Sequence, residues 1–124
     1  MPVRSLTSSV IKWPDARTVA AAVRRWARNI AADHPEVVRI GYFGSYARGN
    51  WGVGSDVDLI VIVSTAERPF GDRGRDWGTL DLPVPADVVV YTEEEWASMK
   101  ARGRGIAAEA VNWVYGPGPG RREA

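Results

Sequence analysis

The chain contains no cysteine. Disulfides, zinc–thiolate sites and thiol nucleophiles are therefore excluded. Histidine is almost absent too. His34 is the only one, and it precedes Pro35, a position that suits a helix terminator better than a catalyst. Lysine is scarce, Lys12 and Lys100 being the only two among 16 basic residues. Charge of one sign is also lacking. A formal net charge of +1 gives no global field that would draw in nucleic acid or an anionic membrane, and no direct nucleic-acid partner is expected. No apolar run approaches the ~18 residues that would span a bilayer. The first residues, MPVRSLTSSVIKW, carry no hydrophobic signal core. These absences together lead us to expect a cytoplasmic chain.

What is present fits one domain over residues 1–124. The length is 124 residues and the hydrophobic fraction 45%, enough for a real core but with little chain for a second substrate-binding domain. Residues 1–16 read as an extended arm, with a possible edge strand at Ser9–Trp13. Asp15 offers an N-cap, and Val19, Val23, Trp26 and Ile30 recur at helical spacing while Arg24, Arg25 and Arg28 fall off that stripe. A helix over about 17–32 follows, closed by His34-Pro35. Val37–Phe43 reads as a strand, Tyr46–Gly49 as a helical turn, and Asn50–Ser55 as a glycine-rich loop. Asp56–Val63 (DVDLIVIV) is apolar on both faces after its start, so it is expected at the centre of a sheet. Residues 64–82 are polar and broken by glycines, with one helical turn near Asp72–Trp77. Asp87–Tyr91 reads as a third strand, Thr92 as the N-cap of a helix to about Ala101, and Ile106–Tyr115 as a last helix. The tail at 116–124 is expected to be disordered.

Chemistry concentrates in Gly44–Asp58, GSYARGNWGVGSDVD. Asp56 and Asp58 stand two apart on a strand, so both carboxylates point the same way. Such close like charges repel, and a bound cation removes that cost. An all-oxygen donor set without Cys or His suits a hard ion such as Mg²⁺ or Mn²⁺. Gly44-Ser45 sits where a strand turns into a helix, where free N–H groups and the Ser45 hydroxyl can cradle phosphate. Asp87 opens the next strand and can share the metal site if that strand lies beside Asp56–Val63. Each feature alone is ordinary turn or strand-edge chemistry. Their order and spacing give them weight together.

The pattern Gly-Ser, ten residues, Asp-x-Asp, then a strand acid resembles the nucleotidyltransferase superfamily that includes DNA polymerase β. Within it the chain is most similar to the minimal nucleotidyltransferases, the MNT or MntA-like antitoxins. The resemblance is carried by GSYARG and SDVDLIVIV, and again by VPADVVVYTEEEW at Val84–Trp96, about a third of the chain in all. It implies an α+β fold of the α/β type, a small mixed sheet flanked by helices. It implies that Gly44 and Ser45 bind NTP phosphates and that Asp56 and Asp58 bind two Mg²⁺ ions. Asp87 would bind the catalytic ion and help deprotonate the acceptor hydroxyl. Arg48, in the ARG segment, would either touch phosphate or make a structural salt bridge to a loop acid. ATP is the implied donor substrate.

The same resemblance implies a partner, a HEPN-type toxin protein whose hydroxyl receives AMP, with a homo-oligomer as another way to supply the acceptor pocket. A nucleotidyltransferase acting on a small aminoglycoside-like molecule and a non-catalytic toxin-binding module are the alternatives. Among the six tryptophans, Trp26 and Trp113 read as core. Trp51 and Trp77 lie in loops near the expected cleft, where loop packing is favoured over base stacking. Arg68, Arg73 and Arg75 read as solvated surface.

Overall fold

A computed structural model describes residues 13–66 and 77–116 of the chain. The first helix, α1 (Ala16–Asp33), starts where Asp15 accepts a hydrogen bond from the Thr18 N–H at 2.8 Å. That bond satisfies a donor the helix itself leaves unpaired, and it holds the Asp15 carboxyl below its ordinary pKa. Val19, Val23, Trp26 and Ile30 are all buried, as their spacing predicts, and Arg24, Arg25 and Arg28 are exposed. The helix stops at His34, whose N–H donates to the Ile30 carbonyl at 2.9 Å and whose ring nitrogen lies 3.4 Å from Glu36.

The chain continues through β1 (Val37–Phe43), a short helix α2 (Ser45–Arg48) and β2 (Val57–Val63). A 3-10 turn at Thr79–Asp81 precedes β3 (Ala86–Thr92), then α3 (Glu93–Arg102), a second 3-10 turn at Gly105–Ala108 and β4 (Asn112–Tyr115). The four strands form one mixed sheet in the order β3-β2-β1-β4. β1 pairs antiparallel with both β2 and β4, and β2 pairs parallel with β3. Because side chains alternate, β2 feeds two cores. Val57, Leu59, Val61 and Val63 pack on the side of α1, while Ile60 and Ile62 pack on the other side with Trp96 of α3. α3 carries a full capping box, in which the Thr92 side chain accepts from the Glu95 N–H at 3.1 Å and the Glu95 side chain accepts from the Thr92 N–H at 2.8 Å.

The expected last helix over Ile106–Tyr115 does not exist. The segment is a 3-10 turn followed by an edge strand. The physical reason lies in β1, where Gly41 leaves room that a side chain would take. A Cβ at Gly41 would come within 2.7 Å of Val111 Cγ1 and 2.9 Å of Trp113 Cε3. The gap lets β4 dock against β1 and sets Trp113 edge-on to Trp96, with ring centres 5.7 Å apart at 88°. Ladder hydrogen bonds and this contact override the helical spacing of the segment. Strand starts also differ by one residue from the sequence reading: β2 begins after Asp56, and β3 begins before Asp87.

Trp26 is core, as expected, and its indole N–H donates to the Trp77 carbonyl at 2.6 Å. Trp77 is buried, with its ring 4.8 Å from that of His34, so it packs its loop onto the end of α1. Trp113 is only partly buried, an edge-strand residue beside the second core. The strand expected at Ser9–Trp13, the turn at Asp72–Trp77, the tail from 117 on, and Arg68, Arg73 and Arg75 lie outside the described residues, Trp13 and Trp77 excepted. Among the described residues, no helix is long and apolar enough to cross a membrane.

Candidate active site

At one end of the sheet, Phe43 closes β1 directly opposite Asp58 of β2. The backbone then turns through Gly44, at φ 78° and ψ −151°, into α2. On the other side of β2, Asp58 is in register with Asp87 of β3. Residues in register on neighbouring strands direct their side chains to the same face. Asp58 shares that face with Ile60 and Ile62, so Asp58 and Asp87 stand side by side on the α3 side of the sheet. Asp56, just before β2, completes the alternation. The three acids singled out from the sequence thus come from two adjacent strand ends.

Asp58 is half-buried, whereas Asp56 and Asp87 are exposed. Burial pushes the Asp58 carboxyl above its ordinary pKa, and the charges of Asp87, Asp56 and Glu109 push the same way. Arg48 pulls in the opposite direction. The site therefore carries an electrostatic debt that a cation would settle. Among the described residues no three acidic or histidine side chains are gathered tightly enough to hold an ion. The donor set is oxygen only, shared between neighbouring strands and partly desolvated. It fits a hard divalent cation.

Gly44 has a role that the sequence did not disclose. A Cβ at this position would collide with Asp58 Oδ2. The missing side chain is what makes room for the Asp58 carboxylate. Ser45, half-buried, begins α2, and its carbonyl accepts from the N–H groups of Gly49 at 2.9 Å and Asn50 at 3.1 Å. Tyr46 is buried, its hydroxyl accepts from the Trp13 indole at 2.9 Å, and its ring stacks on Trp51 at 5.4 Å and 8°. Trp51 thus packs its own loop, as favoured from the sequence. That loop is pinned further by Ser55, whose Oγ accepts from the Gly52 N–H at 2.8 Å.

Arg48 meets a loop acid, Glu109, at 3.5 Å. Glu109 is the site residue that sequence reasoning missed. It follows the second 3-10 turn, and only the position of β4 brings it to this end of the sheet.

The fold has known counterparts. A candidate nucleotidyltransferase from Sulfolobus solfataricus superposes with a TM-score of 0.57 at 20% identity, over 77% of this chain and 80% of that one, a likeness of fold. A toxin–antitoxin crystal structure with AMP-PNP gives a TM-score of 0.48 at 18% identity, over 75% of this chain and 73% of that one. No curated protein matches the chain. Residues 24–108, more than half of the chain, match the family model of the nucleotidyltransferase domain. That span contains Gly44, Ser45, Arg48, Asp56, Asp58 and Asp87, and it ends one residue short of Glu109. With the motif, its placement on the sheet and the family match in agreement, the chain belongs to the nucleotidyltransferase domain family.

Proposed function

We propose that the chain transfers a nucleoside monophosphate, AMP from ATP in the first instance, to an acceptor hydroxyl. The observation that carries this reading is the register of Asp58 with Asp87, which sets two carboxylates side by side at the strand ends next to the Gly44-Ser45 turn. Asp56, Asp58 and Asp87 would hold two Mg²⁺ ions, which when bound lower the pKa of the attacking hydroxyl and neutralise the pyrophosphate that leaves the α-phosphorus. Gly44 and the Ser45 N–H and hydroxyl receive the phosphates. Asp87, exposed at the outer strand, would take the proton of an incoming hydroxyl. Asp58, the most desolvated of the three, orients the donor set from its seat against Gly44.

The acceptor we favour is a hydroxyl on a partner protein, by the resemblance to minimal nucleotidyltransferases a HEPN-type toxin. The test is co-expression of the chain with the protein encoded beside it, followed by intact-mass analysis. A gain of one AMP on the partner, abolished by Asp58→Asn, supports the reading. Labelling of a small hydroxylated compound instead would move the assignment to a small-molecule transferase. Neutralisation of the partner that survives Asp58→Asn would reduce the chain to a binding module.

A further inference from the structure

Arg48 and Glu109 are 61 positions apart in sequence, yet their side chains meet at the mouth of the site. Arg48 ends α2, and its backbone N–H donates to the Gly44 carbonyl at 2.9 Å, so the residue is tethered to the turn proposed to receive phosphate. Glu109 caps the second 3-10 turn, just before β4. The contact between them is loose, at 3.5 Å, and the side chains are 53% and 42% exposed. An exposed pair at the outer limit of hydrogen-bond distance is readily exchanged for a better partner.

A triphosphate is such a partner. Its oxygens match the guanidinium fork in bidentate fashion and carry more charge than one carboxylate. Glu109 in turn is the acid least useful to the transfer. Its charge reaches Asp58 and opposes any anion that enters. Arg48 is the cation acting on Asp58, and in the free protein it is engaged by Glu109.

We propose that Glu109 is a positioning residue that holds Arg48 over the acidic mouth in the free protein and gives it up to the triphosphate when a nucleotide binds. This rests on the nucleotidyl-transfer reading above and deepens it. Nucleotide binding exchanges one Arg48 partner for another, and the Glu109 contact lowers the apparent affinity by the fraction of molecules in which Arg48 is engaged.

The experiment is a double-mutant cycle on Glu109→Gln and Arg48→Ala, read by calorimetric binding of Mg·ATP and by KM and kcat. Both side chains are at the surface, and matched thermal unfolding curves establish that all four proteins are folded. Glu109→Gln is expected to tighten binding about fivefold, the scale of one exposed ion pair. Arg48→Ala is expected to weaken binding about tenfold, the loss of a charge-assisted contact. In the Arg48→Ala background, Glu109→Gln should then change binding less than about twofold, because the competition has gone. The gain should appear in KM and not in kcat. Equal tightening in both backgrounds would mean diffuse charge repulsion and overturn the exchange. Weaker binding by Glu109→Gln would overturn it as well, since Glu109 would then be aiming Arg48 rather than withholding it. Wild-type protein that binds no Mg·ATP would sink the nucleotidyl-transfer reading along with this one, whereas normal binding without coupling would sink this one alone.

Discussion

The two faces of the sheet are built to different ends. On one, the 18-residue α1 packs against β1 and β4 and shares its core with β2, and Val19, Val23, Ile40, Leu59 and Val61 are at most 1% exposed. On the other, the ten-residue α3 contributes a single buried residue, Trp96. There the core is Ile60, Ile62 and Trp96 with half-buried aromatics around it, and the Trp96 Nε1 is buried without a hydrogen-bond partner among the described residues. Asp58 and Asp87 emerge on that second, less complete face. Stability is invested where no chemistry is placed, and the face that carries the carboxylates accepts desolvated charge and a lone buried donor. Neighbouring residues of one strand, Asp58 and Leu59, belong to opposite regimes.

The comparison can be broken most directly at that pair. Asp58→Asn should lower transfer by roughly a thousandfold or more, about 4 kcal/mol in the barrier. It should leave the unfolding temperature of the metal-free protein unchanged or slightly raised, because burial and like charges already disfavour the ionised form. Initial-rate assays and calorimetry on the same preparation check both halves. A large loss of stability would mean that Asp58 serves the fold.

Leu59→Ala should do the reverse. It should cost about 2–5 kcal/mol of stability in urea unfolding while activity per folded molecule persists. Gly44→Ala sharpens the boundary between the regimes. The left-handed backbone and the collision with Asp58 Oδ2 should together cost roughly 1–3 kcal/mol. Adding Asp58→Ala should recover part of that loss, a coupling that additive effects would not give. The smallest effect is expected at Thr92→Ala, which opens the capping box of α3 and should cost about 1 kcal/mol. Hydrogen exchange should then rise first in α3 and spare α1.

What could be read from the sequence was what is written locally. Asp15, the Val19–Ile30 stripe and His34-Pro35 delimit α1 within one stretch of chain, and Thr92 with Glu95 announces α3. The continuous apolar run of β2 declared a strand covered on both sides. The Gly44-Ser45 turn and the Asp pair were legible because their spacing is fixed by one strand and one turn. Asp87 could be named as a candidate, but its place beside Asp58 needed the sheet. β4 was misread, and Glu109 missed, for one shared reason. Both depend on Gly41, a residue far upstream whose missing side chain decides where the end of the chain can dock. Helical spacing within 106–115 says nothing about that vacancy. The role of Gly44 was only half legible, since its occupant, Asp58 Oδ2, is supplied by a different strand.

The parallel pairing of β2 with β3 has a consequence for how the chain acquires its chemistry. β1 and β2 are neighbours in sequence and can zip as a hairpin, which by itself assembles Gly44, Asp56 and Asp58. A parallel neighbour cannot be reached by a tight turn. The polypeptide must travel through residues 64–85 and return to the starting edge before Asp87 arrives. Such distant contacts form late and slowly. If the three acids act as proposed, a nascent or partly unravelled molecule would hold two of them and lack transfer activity, so that activity would report on the completed fold.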